Sequence, residues 1–288
     1  MKGLLLFILM TQMTSALAEA EFIDIPDFQY EPQSIGQAED LIQILPFNYQ
    51  VRKDASYCIR PIEMIDTITI HHSEGRSTDT ASSINAYHIT RGSASDPWYM
   101  IGYSYVINTP YAGESKPKSA ITVGRPLTIV GAHAGSGIFL PMDEVQQQLW
   151  DSKQIKCGKT GQAVFDPTVV QNGKIKANVT SIGVVVVGNY SLFSGKYIVN
   201  SRGKRVVNPQ PNLNGDIPAR KPTDKSIDMI ARLSCQLQKQ HPRIKNFTYH
   251  RQYHATSCPG SFENYMDEIK AKAKEYGCEF KVIPGKYY

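Results

Sequence analysis

Ile65 to His72 (IDTITIHH) alternates apolar and polar side chains and ends on two histidines. A period of two is that of a half-buried strand, so this segment predicts a β-strand delivering His71 and His72 at its C-terminal end. Thr78 to Arg91 carries Ile84, Tyr87 and His88 on one helical face, with Asp79 or Thr80 placed to cap it. Ile101 to Asn108 (IGYSYVIN) alternates again and predicts a second strand, with Tyr103, Tyr105 and Ile107 on one side. Leu127 to Ala132 predicts a short third strand. Ser181 to Asn189 (SIGVVVVGN) is an unbroken β-branched run, as in a strand buried on both faces. Thr223 to Gln240 is the clearest helix: Ile227, Ile230, Ala231, Ser234 and Leu237 run down one face, between Pro222 and Pro242. Phe262 to Tyr276 predicts a last amphipathic helix, closing at Gly277. Strands that alternate with helices predict a layered α/β domain.

The remaining stretches lack such periods. Lys2 followed by the apolar run Gly3–Met10 and by Ala16-Leu17-Ala18 has the form of a signal peptide over residues 1–18, cut after Ala18 or Ala20. The run is too short to span a bilayer. Residues 19–60 read as an extended N-terminal arm and residues 61–288 as the domain. Within it, 136–178 and 192–222 read as surface insertions.

Composition narrows the class. At 41% hydrophobic and 20% charged residues, the chain is neither disordered nor a multi-span membrane protein. A net charge of +5 suits an anionic envelope surface but is too weak to argue for nucleic acid. Export, to a periplasm or the exterior, makes disulfides stable. The five cysteines are Cys58, Cys157, Cys235, Cys258 and Cys278, and an odd number leaves one unpaired. Metal ligation is one reason to keep such a thiol.

His250-Arg251 is followed eight residues after the histidine by Cys258-Pro259-Gly260. Together with the His71-His72 pair this can offer two imidazoles and a thiolate, the set of a catalytic zinc that leaves its fourth position open. A metal pair of His250 with His254 is the lesser alternative. Setting Cys258 aside leaves four thiols that can form two bridges in three pairings.

Six segments in order carry a resemblance: ITIHHS (Ile68–Ser73), IGYSYVI (Ile101–Ile107), GAHAG (Gly131–Gly135), SIGVVVVGN (Ser181–Asn189), KPTD (Lys221–Asp224) and HRQYHATSCPG (His250–Gly260). Over residues ~65–275 the chain resembles the zinc-dependent N-acetylmuramoyl-L-alanine amidases, the group of the phage T7-type lysozyme and the peptidoglycan recognition proteins. The resemblance implies a central mixed β-sheet flanked by α-helices. It implies Zn2+ on His71, His250 and Cys258, with Tyr103 and Thr256 as catalytic residues and His133 lining the substrate site. His72 fits a structural or supporting role, and His88 a core one. The implied reaction is hydrolysis of the amide between N-acetylmuramic acid and L-alanine. The implied partner is peptidoglycan or muropeptides, met by a monomer without a membrane span. The alternative is a non-catalytic peptidoglycan receptor on the same fold, which would commonly lack the cysteine. The chain departs from the family's pattern at Gln252, where Asp is frequent, and along Tyr111–Gly124.

Overall fold

In a computed structural model the protein is described over residues 33–35, 42–46, 50–92, 97–109, 120–135, 137–159, 161–191, 197–199, 205–207, 221–253 and 255–283. The signal peptide expected over 1–18, His254, and most of the 192–222 stretch lie outside the described residues.

The centre is an eight-stranded mixed sheet. Its order across the sheet is Gln33–Ile35, Ile42–Leu45, Ala120–Val123, Tyr105–Asn108, Ser181–Val186, Thr67–His72, Asn246–Tyr249 and Lys281–Val282. The last five of these run parallel, and parallel strands need crossovers that cover both faces. That is why Thr67–His72 and Ser181–Val186 are buried at every position. On one face Ile68, Ile70, Ile182, Val184 and Val186 pack under the helices Asp224–Gln240 and Met266–Glu275. On the other, Val106 and Val185 meet Ala81 and Ile84 of the helix Ala81–Ile89. Alternation along the central strand therefore sends His72 toward the two long helices and His71 to the opposite face.

The helices start where side chains can cap them. Thr80 and Thr223 each accept the N–H of the serine three residues on, and that serine returns a bond to the cap. A disulfide joins Cys235 of the long helix to Cys278, and a second joins Cys58 to Cys157, which selects one of the three open pairings. Cys258 stays free and buried. Among the described residues, no helix is long and apolar enough to cross a membrane.

Three sequence expectations change. Leu127–Ala132 is not a strand; it touches the ladder through one Ile59–Ile129 bridge. Two backbone bonds join it to residues 58–60, from Arg60 N–H to Thr128 O and from Val130 N–H to Cys58 O, and guanidinium groups take other carbonyls: Arg60 Nε donates to Leu127 O at 3.0 Å and Arg125 Nη1 to Val130 O at 2.5 Å. The strand in that neighbourhood is Ala120–Val123, antiparallel to Tyr105–Asn108. Second, pairing begins only at Tyr105, so Tyr103 precedes the strand. The irregular residues 101–104 break the alternation: Tyr105 packs in the main core while Tyr103 packs on the opposite side with Val106 and Val185. Third, the 136–178 stretch packs into the domain: Ile155, Val169 and Ile175 cluster with Met64, Val130 and Val179, around the helix Glu144–Asp151 and short strands.

Candidate metal centre

The register of the sheet builds the site. Asn246–Tyr249 lies beside Thr67–His72 with Tyr249 opposite Ile70. One further step along that register sets His250 beside His71, and their rings stand 4.7 Å apart. Both lie at the carboxyl ends of parallel strands, His71 next to last in its strand and His250 just after its own, where crevices form in α/β sheets. Cys258 returns to them by a loop. Gly260 makes that turn at φ +64°, and a Cβ there would lie 1.9 Å from the Tyr190 carbonyl oxygen, so only glycine fits. The ligand-capable atoms of His71, His250 and Cys258 all lie within 4.8 Å of one another.

Each of these side chains is oriented by neighbours. Cys258 Sγ is 3.4 Å from His71 Nδ1 and accepts the His72 N–H at 3.4 Å. Burial pushes the Cys258 thiol up, so without a metal it carries its proton. His71 Nε2 is 3.1 Å from His133 Nδ1. His133 is buried, and burial first, then the Arg60 and Arg125 charges, hold it down to about 3 against the bond to Ser181. Its backbone N–H donates to Asn178 Oδ1 at 3.0 Å. His72 faces away from the ligands and accepts the Tyr190 N–H on Nδ1 at 2.8 Å. His88 accepts the Gly102 N–H on Nδ1 at 3.0 Å, with its ring edge against Trp98. Both fit the structural parts expected for them.

Tyr103 stands with its ring 5.0 Å from that of His71. Burial, with the nearby Cys258 and Glu74 charges, raises its hydroxyl well above the usual phenol range. It therefore remains an O–H donor at any ordinary pH. Thr256 is buried, and its Oγ1 accepts the Cys258 N–H at 3.3 Å. A cavity of about 620 Å³ is lined by Tyr103, His133 and His250, with Tyr57, Trp98 and Lys176 farther out. A second, of about 560 Å³, lies on the other side of Tyr103 and is lined by Glu74, Asp79 and Tyr87.

Sequence reasoning brought His71, His250, Cys258, Tyr103, Thr256 and His133 forward, and all six are gathered here. It missed Glu74. That residue has φ 55°, the left-handed region, and accepts hydrogen bonds from Ser257 and, at 3.1 Å, from Ser191. It clamps the loop after the histidine strand to the residue before Cys258. The signal available was a carboxylate three residues beyond His71, in a loop.

Two imidazoles and one thiol are a borderline-soft donor set that fits zinc. The donors are close enough to converge on one ion, and His250 opens onto the larger of these two cavities.

The curated proteins hold no match to this sequence. Among solved structures, the chain is similar to the endolysin N-acetylmuramoyl-L-alanine amidase LysCS from Clostridium intestinale URNW at 20% identity and TM-score 0.44, over 80% of this chain and 95% of that one. It is similar to the Ph2119 endolysin from Thermus scotoductus MAT2119 bacteriophage Ph2119 at 15% identity and TM-score 0.37, over 80% of this chain and 98% of that one. The family model for N-acetylmuramoyl-L-alanine amidase matches residues 61–261, a span that starts at the approach to the histidine strand and ends just past Cys258. With well over half of its length matched and the site assembled inside that span, the chain belongs to the N-acetylmuramoyl-L-alanine amidase family.

Proposed function

We propose that the protein is an exported, zinc-dependent peptidoglycan amidase that hydrolyses the bond between N-acetylmuramic acid and the L-alanine of the stem peptide. The observation that carries the reading is the convergence of His71, His250 and Cys258 beside a cavity that Tyr103 also lines. His71, His250 and Cys258 would hold the ion. The chemistry a zinc supplies in such a set is that of a Lewis acid for the amide carbonyl and for water. The chain's own residues do the rest. The His72 N–H steadies the Cys258 sulfur. Tyr103 offers a hydroxyl donor where negative charge develops on the carbonyl oxygen. Thr256, engaged with the Cys258 N–H, shapes the ligand loop and has a hydroxyl proton left to donate.

Two disulfides fit an oxidising compartment, and they support the export reading. The presence of Cys258 favours the enzyme over a non-catalytic receptor. The decisive experiment is mass spectrometry of the products from a defined muropeptide, with and without chelator. Release of an intact stem peptide with a free L-alanine amine, abolished by chelator and by Cys258→Ala, is expected. Cleavage at another bond, or full activity in Cys258→Ala, would sink the assignment.

A further inference from the structure

The hydrogen bonds around His133 form a line whose direction is set at the Ser181 end. At its far end His133 Nε2 lies 3.4 Å from the Ser181 carbonyl oxygen and 3.4 Å from Ser181 Oγ. The carbonyl can only accept. Ser181 Oγ gives its own proton to the Ala177 carbonyl at 2.6 Å, so it too accepts from the ring. His133 Nε2 therefore carries the ring proton, and its Nδ1 is the acceptor. The contact of 3.1 Å between His133 Nδ1 and His71 Nε2 then requires His71 to donate from Nε2. A neutral imidazole with its proton on Nε2 has its lone pair on Nδ1, and that atom faces Cys258 Sγ at 3.4 Å. The near end agrees, since a buried thiol donates its S–H to that lone pair. The thiol's other acceptor, the His72 carbonyl, is farther away at 3.9 Å, and the 2.6 Å bond from Ser181 Oγ to the Ala177 carbonyl favours this direction over the reverse.

The fold also makes room for the ring that sets this direction. A Cβ on Gly183 would come to 2.8 Å from His133 Cγ, and a Cβ on Gly131 to 2.6 Å from His133 Cδ2. The imidazole thus lies in a slot between two glycines, one in the GAHAG segment and one in the central strand Ser181–Val186. A side chain at either glycine would crowd the ring.

We infer that His133 is a positioning residue: it fixes His71 as the Nε2–H tautomer so that Nδ1 is presented to the metal, and Gly131 and Gly183 exist to seat it. This rests on the zinc reading above but differs from a role in touching substrate. Partners that hold a ligating histidine typically matter by roughly 10- to 100-fold in metal affinity. His133→Leu fills the slot without an acceptor and should weaken zinc binding by about that factor. His133→Asn places an amide oxygen where Nδ1 was and should recover most of it. Gly183→Ala, which touches no ligand, should weaken zinc by crowding the ring.

The test is chelator-competition zinc titration on the purified mature chain and these three variants, with thermal melts to confirm folding. Long-range proton–nitrogen NMR of the zinc-free chain reads the tautomers directly. Both His71 and His133 are expected as Nε2–H. An Nδ1–H assignment for either ring would overturn the proposal, whatever the variants do. So would equal zinc affinity in wild type and His133→Leu, or equal losses in His133→Leu and His133→Asn. A wild-type chain that takes up no zinc would instead bring down the metal reading, while the tautomer spectrum would still judge the hydrogen-bond line by itself.

Discussion

At the scale of single residues, polarity and burial pull in opposite directions around this site. Tyr103 is held protonated by its surroundings, which makes it a hydrogen-bond donor and unfit as a base. Tyr103→Phe removes one oxygen and leaves the ring contact with His71 in place. It is expected to keep zinc stoichiometry but lower kcat by about 10²- to 10³-fold, the usual effect of losing one oxyanion donor. Steady-state kinetics beside metal analysis checks this, and unchanged turnover removes Tyr103 from the reaction. His88 gives a prediction about acid. Burial, aided by the Arg125 and Arg91 charges, holds it down to about 4, and its Nδ1 is occupied by the Gly102 N–H. The folded chain therefore resists taking a proton that the unfolded chain accepts near pH 6.5. Its contribution is present above that pH and is lost as pH falls toward 4, with a size of order 3 kcal/mol. His88→Asn keeps an acceptor for Gly102 but does not titrate. Denaturant melts at pH 7 and pH 4.5 should show a smaller drop in the variant, and an equal drop would refute the assignment.

His71 and His250 were readable in the sequence because each sits at a strand's end, where a pattern stops and a polar group begins, whereas Cys258 lies in a loop and was carried by the HRQYHATSCPG segment. Glu74 was not, because nothing in local order reveals that Ser257 and Ser191 come to meet it across separations of 183 and 117 residues.

At the scale of elements, the long strands and helices were legible because they are long enough to show a period. Thr67–His72, Ser181–Val186 and Asp224–Gln240 fall inside the segments expected for them. Leu127–Ala132 misled because apolar composition resembles a strand even when only one bridge reaches a neighbouring strand and buried arginines take other carbonyls. Tyr103 was assigned the face of Tyr105 because alternation was carried through residues that never enter the ladder. The 136–178 stretch looked weakly patterned because, apart from one eight-residue helix, its elements are only two to four residues long. It is nevertheless packed. Ile175 there is fully buried against Met64 and Val130, so Ile175→Ala should cost about 2–5 kcal/mol of stability. A dispensable surface insertion would give a change near zero in the same urea melt.

At the scale of the molecule, two crosslinks tie distant parts together. Cys58–Cys157 closes a separation of 99 residues and attaches the segment before the domain to the middle of the 136–178 stretch. Cys235–Cys278 closes 43 residues and staples the long helix to the end of the chain. By loop entropy the first is worth about 4.7 kcal/mol and the second about 4 kcal/mol. Reduction should lower Tm by several degrees for each bond lost, and Cys58→Ser with Cys157→Ser should do so without altering zinc stoichiometry. Loss of zinc in that double variant would mean that the crosslink, rather than the sheet register, assembles the site.

That register has a consequence for how the protein is made. His71 and Cys258 stand 187 positions apart and meet only when the two halves of the sheet are zipped together. A chain emerging from the N-terminus presents its first histidine long before the second histidine or the thiol exists. An unfinished or unfolded chain therefore lacks the assembled three-residue set, and on the zinc reading proposed above only the completed fold would present it.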